Sequence, residues 1–197
     1  MSPPPDPIDP IREFLELRAL VAAQEFEGGT AAILATADPA GRPSARTVLV
    51  KHVDERGFAF FTNFGSRKAR ELDANPQAAL CFFWPSVHRQ VAVEGRATRV
   101  SADESDAYFA SRPRGSQLAA WASRQSAALT SREVLESSFR AQEERFREQP
   151  VPRPPFWGGY RIAPQRIEFW RGIENRMHER RLYQRGAHDW TQVLLYP

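Results

Sequence analysis

The chain has 197 residues, 42% hydrophobic and 26% charged, with a formal net charge of +3, a composition typical of a soluble domain that buries its own core. No apolar run approaches the roughly 18 residues a membrane span requires, and the start Met1 to Pro7 has neither the basic head nor the apolar middle of a signal peptide, so a cytoplasmic protein with no membrane partner is expected. The single Cys81 excludes an internal disulfide, four scattered histidines predict no metal site, and a pI near 9.4 is too mild an excess to call for nucleic acid.

Residues 1–8 are proline-rich and read as a flexible arm, which leaves 9–197 as a single domain. Asp9 reads as an N-cap with Pro10 at the first helical position. Ile11, Phe14, Leu15, Arg18, Val21 and Ala22 fall on one face of that helix, which is expected to end at Gly28-Gly29. Short β-type runs follow at Ala31–Ala35, Ala45–Val53, Phe58–Phe64, Ala78–Trp84 and Gln90–Val100. Turn signals separate them at Asp38-Pro39-Ala40-Gly41, Asp54-Glu55-Arg56-Gly57 and Asn75-Pro76. Strands this close predict antiparallel sheet or barrel, and the interrupting helices make the class α+β, mainly antiparallel β. A first interrupting helix is predicted from Ser66 to Asp73. Capping boxes at Ser101–Glu104 and Thr130–Glu133 predict two more, running toward Ser111 and Glu148. Pro113 must end the former and leaves Arg114 and Ser116 in the turn beyond. Pro150, Pro152, Pro154 and Pro155 form an extended connector. Tyr160–Ile162, Arg166–Trp170, Arg176–Tyr183 and Trp190–Leu195 then read as strands, with Arg185 to Asp189 turning the last pair.

Residues 111–126 crowd three arginines, four serines and two glutamines around a short apolar patch. That donor set suits the oxygens of a phosphate, although a solvated turn between helices has the same composition. Glu104, Tyr108 and Arg112 follow at steps of four and share a helix face, so Tyr108, Arg112 and Ser116 can converge on one oxyanion; the plain alternative makes Tyr108 a packing aromatic. Ser66-Arg67-Lys68 starts a helix directly after a strand, where free N–H groups and two cations favour a second anion. Of 27 basic residues only Lys51 and Lys68 are lysine, which marks two places where a slim ammonium replaces the planar guanidinium fork. Arg176, His178 and Arg180 alternate with Met177 and Glu179, so an extended strand presents them on one side, as a half-exposed edge strand also does. The absence of GxGxxG, GxxxxGK[ST] and GxSxG excludes motif-based dinucleotide, P-loop and nucleophile-elbow readings. Two anion sites in one domain point to a phosphorylated cofactor and a phosphorylated substrate.

Taken together, Arg46-Thr-Val-Leu-Val-Lys51, Phe60-Phe-Thr-Asn63 with Ser66-Arg-Lys68, Arg89-Gln-Val91, residues 111–126, Trp157-Gly-Gly159, Glu168-Phe-Trp170 and Arg176-Met-His-Glu-Arg180 resemble, in order and spacing, the pyridoxine (pyridoxamine) 5′-phosphate oxidase family from about Thr30 to Pro197. The resemblance implies an FMN-binding split β-barrel with flanking helices, assembled as a homodimer with flavin at the interface. It implies an FMN site of Arg46, Val48, Leu49, Lys51, Phe61, Thr62, Arg67, Lys68, Gln90, Gln125, Ser126, Trp170 and Arg180. Tyr108, Arg112 and Ser116 would hold the substrate phosphate, Lys51 would also touch substrate, and Arg176 and His178 would lie against the pyridine ring as the catalytic pair. The implied reaction oxidises pyridoxine or pyridoxamine 5′-phosphate with O2 to pyridoxal 5′-phosphate and hydrogen peroxide. Ala119, Arg171, Glu179 and Leu194 depart from the glycine, glutamine, aspartate and arginine usual there, and the family's longer N-terminal arm finds no match. Rival readings are a related flavin oxidase of phenazine biosynthesis, which has no substrate phosphate to hold, and a flavin- or pyridoxal-phosphate-binding protein without turnover.

Overall fold

The computed structural model describes residues 9–187 and 189–197. In chain order the strands are β1 (Ala31–Ala37), β2 (Pro43–Asp54), β3 (Gly57–Asn63), β4 (Gln77–Trp84), β5 (Arg89–Arg99), β6 (Trp157–Arg171), β7 (Glu179–Arg185) and β8 (Trp190–Leu195). The helices are α1 (Pro10–Val21), α2 (Arg67–Ala74), α3 (Ala102–Ser111), α4 (Arg114–Ala122) and α5 (Arg132–Arg145). The arm expected at residues 1–8, and His188 within the expected turn, lie outside the described residues.

Asp9 caps α1 as its chemistry predicts, its carboxylate accepting from the N–H groups of Ile11 and Arg12 at 3.0 Å each. The apolar stripe then buries Phe14 and Val21 completely, and Phe14 stands edge-on to Phe58 and Phe82 at 4.9 and 4.8 Å in the main core. The helix stops at Val21, well short of Gly28-Gly29. Glu27, Gly28 and Gly29 take left-handed φ values of 52°, 65° and 70°, which no α-helix continues.

Five antiparallel pairings run in the order β3-β2-β1-β4-β5-β6, and a further pairing of β3 with β6 closes these six strands into a barrel. The closure depends on how β6 divides its edges. One edge follows β5 almost throughout, from Tyr160 opposite Arg99 to Arg171 opposite Arg89. On the other edge, Trp157–Ile162 pairs with β3, whereas Arg166–Arg171 pairs with β7, which carries β8 outside it. The result is a split β-barrel with flanking helices, the expected α+β class.

Four local expectations are corrected. The strands expected at Tyr160–Ile162 and Arg166–Trp170 are one element, because Pro164 falls at 163–165, where the second edge of β6 has left β3 and not yet met β7. There its missing N–H removes no ladder bond on that edge. Opposite it the register shifts between Glu94 and Gly95, and a Cβ on Gly95 would stand 2.1 Å from the Ala163 carbonyl oxygen. The strand expected from Arg176 begins only at Glu179, since Asn175 and Arg176 adopt φ of 55° and 62° in a tight turn. Arg176 and His178 therefore stand on a connecting loop and form no alternating strand face with Arg180. Pro113 ends α3 but also begins α4, so Arg114 and Ser116 lie in the first turn of a helix. That helix forms because Leu118 has a core to enter, a second apolar cluster with Phe109, Phe146, Val151 and Trp157. Finally, α5 starts after Ser131 with no side-chain cap and ends at Arg145, so the capping box at Thr130 is not made.

Gly95→Ala should destabilise the protein by about 1 to 3 kcal/mol or more, because backbone rather than a flexible side chain blocks the added methyl. Urea unfolding checks this, and an unchanged midpoint would show the β5–β6 contact to be looser than described.

Candidate functional site

A cavity of about 340 Å³ opens where β2 and the end of β3 meet α2, α3 and α4. β2 contributes Thr47, Val48, Leu49 and Lys51, β3 contributes Phe61, Thr62 and Asn63, and α2 contributes Lys68. Tyr108, Arg112, Ala119, Ala120, Ser123, Gln125 and Trp157 complete the wall. Part of that wall is an aromatic stack: Phe61 lies 4.1 Å from Tyr108 and 5.5 Å from Trp157, with interplanar angles of 25° and 11°. Gly159 makes room for it, since a Cβ there would come within 2.8 Å of the Phe61 ring.

One end of the cavity carries excess positive charge. Ser66 caps α2, and the buried Lys68 ammonium donates to Thr62 Oγ1 at 3.2 Å, with no carboxylate partner among the described residues. Burial, with Arg46 nearby, holds Lys68 below its ordinary pKa. Arg46 and Arg67 both turn to Glu71, at 3.3 and 2.7 Å. Burial alone would raise the Glu71 carboxyl, but hydrogen bonds from Ser44, Thr36 and Arg67 outweigh it and hold the pKa at about 2. Two arginines thus share one carboxylate and Lys68 has none, beside a helix N-terminus, a donor set suited to a phosphate.

The second cationic group stands at the C-terminal cap of α3. Arg112 precedes proline and takes the extended conformation this imposes, φ −73° and ψ 147°. Its guanidinium lies 4.8 Å from the Trp157 ring centre and 5.6 Å from that of Phe109. Nη1 is buried without a hydrogen-bond partner, and burial lowers the pKa of the group. A buried, unpaired charged donor facing a cavity calls for an acceptor. Desolvation raises the pKa of the neighbouring Tyr108, so its hydroxyl stays protonated and can donate. Across the cavity Lys51 Nζ lies 3.5 Å from Glu27 Oε2.

The loop after α4 is tied to β3. Gln125 Oε1 accepts from Thr62 Oγ1 at 2.9 Å and from Asn63 N–H at 3.3 Å, and Asn63 Nδ2 donates to the Ser123 carbonyl at 3.2 Å.

The expected site residues fall into groups. Val48, Leu49, Lys51, Phe61, Thr62, Lys68, Tyr108, Arg112 and Gln125 line the cavity, with Arg46 and Arg67 joined behind it through Glu71. Ser116, in the first turn of α4, and Ser126, at φ 70°, are not among the lining residues. Gln90, Trp170 and Arg180 stand opposite one another in a row across β5, β6 and β7. Arg180 pairs with Glu168 at 2.7 Å. The His178 ring lies 4.8 Å from that of Trp170, its Nδ1 accepting the Ile173 N–H at 3.1 Å, while Arg176 is exposed on the adjoining turn. Trp157 and Trp170 are thirteen residues apart on β6, about 40 Å of extended strand. One copy of the chain therefore does not gather both groups in one cavity. Sequence reasoning missed Glu71, although its i,i+4 spacing from Arg67 was available. It also missed Asn63 and Ser123, whose contacts with one another cross sixty residues of chain and carry no local signal.

Residues 20–146 match the family described as pyridoxamine 5′-phosphate oxidase, and residues 157–197 match the pyridoxine 5′-phosphate oxidase C-terminal dimerisation region. The chain belongs to the pyridoxamine 5′-phosphate oxidase family. Within this family of oxidoreductases, the pyridoxine/pyridoxamine 5′-phosphate oxidase of Rubrobacter xylanophilus is 58% identical over 189 residues, covering 96% of this chain and 87% of that protein. The protein of the same name from Anaeromyxobacter dehalogenans is 55% identical, covering 99% of this chain and 98% of that one. Among solved structures, PhzG from Burkholderia lata in complex with tetrahydrophenazine-1-carboxylic acid superposes with a TM-score of 0.91 at 32% identity, over 98% of this chain and 95% of that one. A pyridoxamine 5′-phosphate oxidase-related, FMN-binding protein from Nostoc punctiforme shares the fold, with a TM-score of 0.77 at 20% identity over the full length of both. No helix among the described residues is long and apolar enough to cross a membrane.

The Glu71 carboxyl has a pKa depressed in the folded protein, so its stabilisation is complete above the ordinary value of 4.5 and is lost as pH falls toward about 2. Glu71→Gln should therefore lower the melting temperature at pH 7, and the gap to the wild type should close between those two values. A gap independent of pH would refute the charged role of Glu71.

Proposed function

We propose that the protein is an FMN-dependent oxidase that converts pyridoxine 5′-phosphate or pyridoxamine 5′-phosphate, with O2, to pyridoxal 5′-phosphate and hydrogen peroxide, as a cytoplasmic homodimer. The observation that carries this reading is the cavity lined at once by Lys68, which has no carboxylate partner, and by Arg112, whose Nη1 has no acceptor. Two phosphates, one on the cofactor and one on the substrate, satisfy both.

Residues 66–68 and Arg46 fit the phosphate of FMN, and Val48, Leu49, Thr62 and Gln125 fit the rest of the cofactor. When bound, FMN supplies the acceptor for the two electrons that leave the substrate's 4′ carbon and delivers them to O2. Tyr108 and Arg112 hold the substrate phosphate by charge-assisted hydrogen bonds. Ser116 joins them if the first turn of α4 closes on the ligand. Lys51 lies between the two ends and turns from Glu27 to the ligands.

The Gln90–Trp170–Arg180 row, Ser126, Arg176 and His178 complete the site when a second copy brings its own set against this cavity. The exposed apolar side chains on the outside of the sheet, Ile33 and Phe83 among them, support such pairing, as does the match to a dimerisation region. With Nδ1 engaged by Ile173, a neutral His178 carries its proton on Nε2, a donor for a ring substituent. For the alcohol the hydrogen on the 4′ carbon leaves with its two bonding electrons, the hydroxyl proton is lost, and the aldehyde forms directly; the amine loses a hydride and an N–H proton in the same way, and water hydrolyses the resulting imine to the aldehyde and ammonia.

The likeness to PhzG motivates the alternative of a phenazine-type oxidase. Relatives at 50 to 58% identity that share the oxidase name, and the unpaired Arg112, favour the phosphorylated substrate.

Anaerobic mixing of the FMN-loaded protein with pyridoxine 5′-phosphate should bleach the flavin absorbance, and air should restore it with release of pyridoxal 5′-phosphate. Bleaching by unphosphorylated pyridoxine to the same extent, or only by a phenazine precursor, would reject the reading. Arg112→Ala removes a contact of roughly 1.5 to 3 kcal/mol and should weaken substrate binding by about one to two orders of magnitude while FMN stays bound. Equal affinity in variant and wild type would unseat Arg112.

A further inference from the structure

We infer that Arg161 is a positioning residue: it pins the N-terminal half of α3 through Glu104 and so sets where Tyr108 and Arg112 enter the cavity. The inference rests on the reading that these two hold the substrate phosphate. Trp157, Gly159 and Arg161 alternate onto one face of β6, and α3 lies on that face. Near its C-terminal end the helix is held by packing, with Phe109 edge-on to Trp157 at 5.1 Å and Gln117 Nε2 donating to the Phe109 carbonyl at 2.9 Å. Its N-terminal half buries one small side chain, Ser105, whose Oγ would stand 3.1 Å from a Cβ on Gly158. The stronger contacts of that half are ionic: Arg153 holds Asp106 at 2.6 Å at mid-helix, and Arg161 holds Glu104 one turn before Tyr108.

Arg161, 8% exposed, donates from Nη1 to Asp54 of β2 at 2.7 Å and from Nη2 to Glu104 of α3 at 3.0 Å. Arg56 reaches the same two carboxylates, at 2.6 and 2.8 Å, but its side chain is 56% exposed. Water and salt therefore screen Arg56, whereas the buried Arg161 keeps its full orienting force.

This cluster lines a second cavity of about 340 Å³ that shares Phe61 and Tyr108 with the first. Tyr108 is thus a partition with space on both sides, and the His52 ring touches it only edge-on at 5.6 Å. Its one close packing partner is Phe61, stacked at 4.1 Å, and a stack of flat rings leaves the position along the helix axis free to slide. The axial position of α3 sets it, and Glu104 lies one helical turn before Tyr108 on the same face.

The test uses the full-length, FMN-loaded protein with variants Arg161→Gln, Arg161→Lys and Glu104→Gln, alone and combined with Arg112→Ala. Pyridoxal 5′-phosphate affinity is measured by titration, and KM and kcat with pyridoxine 5′-phosphate. Arg161→Gln should weaken affinity and raise KM about tenfold, within the range of coupling between contacting residues, with kcat within about twofold. Arg161→Lys, which keeps the charge, should recover part of the loss. In the Arg112→Ala background Arg161→Gln should have little further effect, which a merely structural role would not produce. Glu104→Gln, which leaves the Arg161–Asp54 pair intact, keeps the test open if Arg161→Gln folds poorly. Wild-type affinity that depends on Arg112 but not on Arg161 or Glu104, or losses that simply multiply, would overturn this inference alone. Wild-type protein that binds pyridoxal 5′-phosphate no better than pyridoxal would overturn the functional reading as well.

Discussion

The divided edge of β6 is the constraint from which most of the architecture follows. A strand has two hydrogen-bonding edges, and a 15-residue strand is long enough to serve different partners along one of them. The half that pairs with β3 closes the barrel and carries Trp157, Gly158, Gly159 and Arg161, on which α3 and the aromatic stack rest. The half that pairs with β7 carries Glu168 and Trp170, to which Arg180 and His178 attach. The same element thus organises two groups of polar side chains and, by its length, keeps them apart.

Legibility in the sequence followed the range of the physical signal. Asp9 before Pro10, Ser66 before Arg67 and Ser101 before Glu104 act within one helical turn, and each caps where it was expected. The hairpin strands were readable because alternation and turn residues are also local. The turn expected beyond Pro113 and the gap expected between the strands at Tyr160–Ile162 and Arg166–Trp170 were not found, because proline states only what its own N–H cannot do. Whether the chain stops, restarts as a helix or continues as a strand depends on neighbours distant in sequence, Phe146 and Val151 for α4 and the β3-to-β7 exchange for β6. Arg176 and His178 alternate like a strand, but left-handed backbone at Asn175, a residue that tolerates it, decides otherwise. For the site, motif spelling named most of the cavity wall; the separation into two groups was a property of β6 that no motif encodes.

The division of labour between arginine and lysine also has a structural counterpart. Most of the arginines with a carboxylate partner are exposed, where ion pairs contribute little to stability. Others are placed differently. Arg46 shares the buried Glu71, Arg161 is buried between two carboxylates, Arg153, Arg180 and Arg181 are partly buried against one each, and Arg112, without a carboxylate, is half-buried with an unpaired nitrogen. Lys68 presents a compact ammonium to the cavity and donates it to Thr62 Oγ1, itself 3.4 Å from Ser66 Oγ.

Of the four positions that the sequence resemblance marked as departures, Ala119 lines the cavity from α4, and the other three gather on one face of the outer sheet. Arg171 and Glu179 stand directly opposite each other on β6 and β7, 3.7 Å apart, so the longer glutamate reaches the longer arginine. On its other side Arg171 faces Arg89, whose pKa is lowered by burial first and by Arg171 next, while Glu179 acts in the opposite direction. Leu194 faces Arg181 on β7; an arginine there would set like charges directly opposite and add to the crowding. Arg89, Arg171, Glu179, Arg181 and Leu194 all point away from the face that carries Gln90, Trp170 and Arg180, because neighbouring strand residues alternate. Arg171 and Leu194 offset one another in charge on one side of the sheet, and the row of Gln90, Trp170 and Arg180 lies on the other side, away from both.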